Sequence, residues 1–188
     1  MNGLYIGSFN PFHLGHEYVA RLASRLCTTL YVCTGVNPEK TEMHNHPLRM
    51  SWITTCLQDI PNVRVGTAVG LTADYCVQHN IDVIFKGVRN STDFENERLQ
   101  ALTNSLITSM VSKVDTVFIP SPSEYETISS SLIRTLVQYG HPISGLVNPK
   151  IESEVVEYFE KEFEDRLHLP SVDIISNSKH LSNPPTHQ

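Results

Sequence analysis

Two rhythms alternate along the chain. Short apolar runs at Leu4–Ile6, Leu30–Cys33, Val63–Val65, Ile81–Phe85 and Asp115–Ile119 read as strands. The stretches between them carry apolar residues at helical spacing. In His16–Leu26, Tyr18, Val19, Leu22, Ala23 and Leu26 share one face. Pro47–Leu57 is helical, with Pro47 suited to a first turn. Leu71–His79 follows, then a long helix over Thr92–Met110 that Thr92 and Glu95 are expected to open as a capping box. Ser129–Tyr139 stops at Gly140, and Asn148–Arg166 is a charged amphipathic helix.

Strand and helix in strict alternation predict an α/β fold. The expected architecture is a single Rossmann-like, doubly wound, five-stranded parallel sheet with helices on both faces and a C-terminal helix. From about Leu169 the chain turns to Ser, Asn, Pro and His, with Pro184-Pro185 and no sustained period. The predicted division is therefore a domain over 1–166 and a disordered or loosely docked tail over 167–188.

Composition narrows the function. The formal net charge is −6, against the basic footprint of a nucleic-acid binder. No run of about 18 apolar residues is present to span a membrane. Met1–Ile6 has no basic leader, and Cys27, Cys33, Cys56 and Cys76 show no C-x-x-C spacing, so the expectation is a cytoplasmic protein with reduced thiols. An acidic chain still binds a polyphosphate if its few cations converge, so their placement decides.

Placement is legible because ligands of open α/β sheets bind beyond the carboxyl ends of the strands. The first strand leads into Gly7–His16, and the second into Gly35–Lys40. The fourth leads into Lys86–Asn90, and the fifth into a Ser/Pro loop ending at Ile128–Ser131. Cations and hydroxyls thus gather at one end of the sheet. Gly7 and Gly15 permit close backbone approach, Gly15-His16 opens a helix whose N-terminus attracts anions, and His13 and His16 stand three apart. His44 and His46, beside the second loop, read as surface residues, and Arg134 as a surface group of its helix.

These segments carry a family resemblance. Ser8–His16 resembles the (S/T)-x-F-x-P-x-(H/T)-x-G-H motif of the cytidylyltransferase-like nucleotidyltransferases, and Ile128–Arg134 resembles their I-S-S-(S/T)-x-(I/V)-(R/K) motif. Lys86–Glu97, in the form K-G-V-R-N-S-T-D-F-E-N-E, is similar to a block particular to the phosphopantetheine adenylyltransferases. Asn37-Pro38-Glu39-Lys40, Gly70–Tyr75 and Gly140–Pro149 fit the same family, and the resemblance covers residues 4–160. Three positions depart from its usual pattern: Asn10 stands for Asp, His13 for Thr and Lys86 for Arg.

The resemblance implies adenylyl transfer from ATP, with Mg²⁺, to 4′-phosphopantetheine, giving dephospho-coenzyme A and pyrophosphate. It implies His16, Lys40 and Arg89 as catalytic residues. It implies ATP contacts from Ser8, Phe9, His13, His16, Gly87, Val88, Arg89, Glu97, Tyr125, Ser129, Ser130 and Ser131. Acceptor contacts would come from Ser8, Lys40, Thr72 and Lys86. A homo-oligomer is also implied, often a hexamer in this family. A related adenylyltransferase acting on nicotinamide mononucleotide, and a nucleotide-binding protein without catalysis, are the competing readings.

Overall fold

The computed structural model describes residues 1–36, 46–108 and 113–167. Five strands, β1 (Asn2–Gly7), β2 (Thr29–Val36), β3 (Val63–Val69), β4 (Val83–Val88) and β5 (Asp115–Pro120), alternate with helices. The helices are α1 (Leu14–Ser24), α2 (His46–Leu57), α3 (Thr72–Gln78), α4 (Ser91–Thr108), α5 (Ser130–Gln138) and α6 (Glu152–Leu167). A 3₁₀ turn, Ser123–Tyr125, lies between β5 and α5 and has no apolar period to announce it. The tail over 168–188 and the Gly35–Lys40 loop beyond Val36 lie outside the described residues.

All strand pairs are parallel, in the order β3-β2-β1-β4-β5. The chain winds outward from β1 to β3, crosses back, and winds outward again through β4 and β5. The reversal leaves a crevice between the ends of β1 and β4. Side-chain alternation puts Tyr5, Leu30, Val32, Val83 and Phe85 on one face, in a core shared with α1, α2, α5 and α6. Leu4, Cys33 and Ile84 point the other way, into a smaller core with Ala68 and Cys76. Right-handed crossovers explain the division, since the two winding directions place their helices on opposite faces.

The strands run beyond their apolar runs because a ladder needs only backbone groups. Asn2 pairs with Thr29 and Gly7 with Thr34, although neither end of β1 is apolar. The α4 boundary corrects the sequence reading. Asn90 Oδ1 accepts the Asp93 N–H at 2.9 Å, so Asn90 acts as the cap and the helix opens at Ser91. Glu95 does not close a capping box with Thr92 but pairs with Arg98 at 3.0 Å. Helix α6 starts at Glu152, later than expected. Asn148 Oδ1 accepts the Lys150 N–H at 3.0 Å, an Asx-type turn that holds this segment out of the helix.

The cysteines are free, as the sequence suggested. Burial pushes the Cys56 thiol up to about 12 and the Cys76 thiol up to about 11, so both are inert at neutral pH. No helix among the described residues is long and apolar enough to cross a membrane.

Candidate active site

The crevice at the β1/β4 reversal is a cleft of about 310 Å³. Its floor is the carboxyl ends of the two strands. Helix α1 forms one wall, the start of α4 another, and the N-terminus of α5 a third. Ser8, Phe9, His13, His16, Lys86, Gly87, Arg89, Glu97, Tyr125 and Ser129 through Ser131 all line it, from segments far apart in the chain. Val88 and Thr72 are not among the lining residues. Val88 ends β4 with its neighbours Gly87 and Arg89 facing the cleft, and Thr72 follows β3, at the sheet's edge. Lys40 lies outside the described residues.

Close packing of α1 on β4 builds the His16 side of the cleft. At Gly87 an added Cβ would come within 2.9 Å of Val19 Cγ2, so only glycine lets the helix sit this near the strand. The turn after β1 passes through Phe9 at φ +48°, a left-handed conformation disfavoured for a bulky residue. Burial of its ring holds it there. Phe9 is 1 % exposed and meets Tyr5, Phe12 and His16 edge-on at 5.1, 5.3 and 4.9 Å between centroids. The Phe9 ring is therefore core beneath His16.

His13 and His16 cap one helix turn reciprocally. The His16 N–H donates to His13 Nδ1 at 3.4 Å, and the His13 N–H donates to His16 Nδ1 at 3.3 Å. Their rings stack at 3.5 Å. A nitrogen that accepts from a backbone N–H carries no proton, so each neutral imidazole holds its proton on Nε2. Burial, then the Arg89 charge, pushes His13 down to about 3. Burial, then His13, then Arg89, pushes His16 well below the usual imidazole range. At neutral pH both residues are uncharged hydrogen-bond donors.

The cleft's cations are paired. Arg89 grips Asp93 through two hydrogen bonds, at 2.7 and 3.2 Å, and donates to the Ile128 carbonyl at 3.1 Å. Asp93 also lines the cleft; its place four residues after Arg89 was the available signal, obscured by its equally good fit to a helix first turn. Lys86, with its side chain 10 % exposed, lies 2.7 Å from Glu97 and donates a hydrogen bond to Gln100 at 3.2 Å. Lys86 and Arg89 thus face Glu97 and Asp93, and the charges cancel. Among the described residues, the other groups able to meet an anion are neutral or dipolar: the two Nε2–H groups, backbone N–H groups at the start of α5, and hydroxyls.

The serines differ in what they have to offer. Ser130 gives its hydroxyl proton to the Pro11 carbonyl at 2.8 Å, leaving its backbone N–H for a ligand. Ser129 caps α5 by accepting the Leu132 N–H at 3.1 Å, and Ser131 accepts from Arg134 at 3.3 Å, so both O–H groups remain available to donate. Arg134 is not mere surface dressing. It donates to the Asn10 carbonyl at 2.6 Å and ties α5 to the first loop. Arg49, 2 % exposed on α2, donates to the Ser8 carbonyl at 3.1 Å and holds the loop from below. His46, read as a surface residue, opens α2 with Nδ1 3.1 Å from Thr34 Oγ1.

Comparison with known proteins agrees with this geometry. The cytidylyltransferase-like family model matches residues 4–136. A phosphopantetheine adenylyltransferase of Picosynechococcus sp. is 31 % identical over 92 % of this chain and 92 % of its own. That of Carboxydothermus hydrogenoformans is 35 % identical over 85 % of this chain and 96 % of its own. Among solved structures, the Plasmodium falciparum nicotinic acid mononucleotide adenylyltransferase complexed with APC shares the fold, with a TM-score of 0.59 at 19 % identity over 86 % of this chain and 97 % of its own. The motifs, the cleft they form and these relatives converge: the chain belongs to the cytidylyltransferase-like nucleotidyltransferases and, within them, to the phosphopantetheine adenylyltransferase family.

Proposed function

We propose that the chain transfers the adenylyl group of ATP to 4′-phosphopantetheine, giving dephospho-coenzyme A and pyrophosphate. The observation that carries the reading is the cleft itself, which brings His16, Lys86, Arg89 and the Ser129–Ser131 turn to one reversal point of the sheet. An oxygen of the acceptor phosphate forms a bond to the α-phosphorus, and the bond from that phosphorus to the β-phosphate oxygen breaks. No side chain becomes covalently attached. The protein's task is positioning and stabilisation of charge on the phosphoryl oxygens.

The residues divide that task. His16 donates Nε2–H to the α-phosphate, where charge develops, and His13 holds the His16 ring in register. Ser129, Ser131 and the N–H groups opening α5 receive the β- and γ-phosphates, which leave as pyrophosphate. Arg89, fixed by Asp93 and Ile128, supplies a directed guanidinium on the nucleotide side. Lys86 faces the acceptor phosphate, with Lys40 as its expected partner. Thr72 and Val88 retain their proposed acceptor and nucleotide roles.

ATP enters as its Mg²⁺ complex. Among the described residues no three His, Cys, Asp or Glu side chains gather to ligate a metal. The ion is proposed to be held through the phosphates and water, as part of the nucleotide. It offsets phosphate charge beyond what Lys86 and Arg89, already paired with Glu97 and Asp93, can meet.

The chain is further proposed to self-associate. Leu99, Leu102 and Leu106 lie along one side of α4 and are 57 %, 55 % and 73 % exposed, a contiguous apolar stripe of the kind that marks an interface. The functional reading is tested by pyrophosphate release from MgATP with 4′-phosphopantetheine and nicotinamide mononucleotide as separate acceptors. Release with the first alone supports it, and release with the second alone transfers the assignment to that acceptor.

A further inference from the structure

A lysine ammonium is a flexible point charge with three donors, so its position depends on the acceptors around it. Lys86 has two such neighbours, and they act differently. Glu97 Oε2 lies 2.7 Å from Nζ but off hydrogen-bond alignment, so it holds the ammonium by charge rather than by a directed bond. The directed hydrogen bond runs from Lys86 Nζ to Gln100 Oε1, at 3.2 Å. Glu97 and Gln100 stand three apart on α4 and so share a face that approaches the same ammonium. Gln100 is exposed and does not line the cleft, whereas Lys86 does.

We propose that Gln100 is a positioning residue for the acceptor-side cation. Its carbonyl directs one Lys86 donor while the Glu97 carboxylate faces another, leaving a donor for the phosphate in the cleft. A neutral amide suits this place. It accepts a hydrogen bond without adding charge, while a carboxylate there would put two anions against one cation and repel a phosphomonoester. The inference rests on the adenylyl-transfer reading and assigns to it a residue outside the sequence motifs.

Steady-state pyrophosphate release tests it, with MgATP and 4′-phosphopantetheine varied in turn. The proteins are wild type, Gln100→Leu, Gln100→Glu, Lys86→Met and the Lys86→Met/Gln100→Leu double variant. Thermal unfolding checks that each is folded, and an exposed position predicts little change for the Gln100 variants. Gln100→Leu is expected to raise the acceptor KM about fivefold to tenfold, the loss of one charge-assisted hydrogen bond, while the ATP KM changes by less than about twofold. Gln100→Glu raises the acceptor KM further. In the Lys86→Met background, Gln100→Leu has no additional effect, because the residue acts through Lys86. An unchanged acceptor KM in Gln100→Leu, or the same loss in the Lys86→Met background, overturns the proposal. An active wild type with an indifferent Gln100→Leu removes this inference alone; a wild type inert with phosphopantetheine removes the functional reading and the inference together.

Discussion

His13 stands where a helix usually has Ser, Thr, Asp or Asn, and it performs the same service with an imidazole. The reciprocal cap fixes both tautomers, buries the His13 ring, leaves the His16 ring half-buried against the cleft and keeps two Nε2–H donors. It also carries a pH cost with a definite sign. Both groups have folded-state values below the ordinary 6.5, so the unfolded chain binds protons more readily as pH falls. Their contribution to stability is full above pH 6.5 and is lost as pH drops from there toward 3. The unfolding midpoint should therefore fall between pH 7 and pH 4, and His13→Asn, which keeps a cap without an imidazole, should flatten that fall; a midpoint equally steep in the variant would refute the linkage. The spacing of these two histidines was visible in the sequence. Their mutual capping was not, because histidine is an uncommon cap and the bond depends on ring orientation.

At the scale of elements, the start of α4 and the end of β4 work as one unit. Arg89, Asp93 and the Ile128 carbonyl connect β4, α4 and the turn before α5. Asp93→Ala releases the guanidinium on one side, and the expected result is a rise of about tenfold in the ATP KM, with a much smaller change in the acceptor KM. Equal changes in both would mean that Asp93 organises the whole cleft. Gly87→Ala would push α1 away from β4 through Val19, and the expected result is a larger loss in kcat than in thermal stability, because His16 rides on that helix. Among the described residues, the alternation of apolar runs revealed the five strands and six α-helices, but neither their ends nor the 3₁₀ turn. Ladder hydrogen bonds carried β1 across Asn2 and Gly7, and the Asn90 side chain displaced the anticipated Thr92 cap, both through hydrogen bonds that hydrophobic pattern does not report.

Across the whole molecule, an acidic chain brings His13, His16, Lys86, Arg89 and Ser129 through Ser131 to a single reversal of strand order. The parallel sheet and the site's place on it followed from periodicity alone, while the acceptor was legible through the K-G-V-R block, a resemblance rather than a derivation. What stayed hidden were the supports from distant helices, Arg49 beneath Ser8 and Arg134 beneath Asn10, since each reaches a carbonyl some forty or more residues away. Helix α6 closes the core, with Phe159 4 % exposed and 6.1 Å from Trp52 between ring centroids. Phe159→Ala should cost about 3–5 kcal/mol in denaturant unfolding, and a loss below about 1 kcal/mol would show α6 to be peripheral. Leu102→Glu on the α4 stripe should lower the mass measured by light scattering, and an unchanged mass would place any self-association elsewhere.

Adenylyl transfer to a phosphopantetheine phosphate in this cleft, with His16 proposed as a neutral donor, is open to direct test. The most direct measurement is pyrophosphate release from MgATP, with 4′-phosphopantetheine and nicotinamide mononucleotide in parallel, for wild type and His16→Ala. Release with phosphopantetheine alone, and a kcat about 10²–10³ lower in His16→Ala, is the predicted result. Release with the mononucleotide alone, or undiminished turnover without His16, would contradict it.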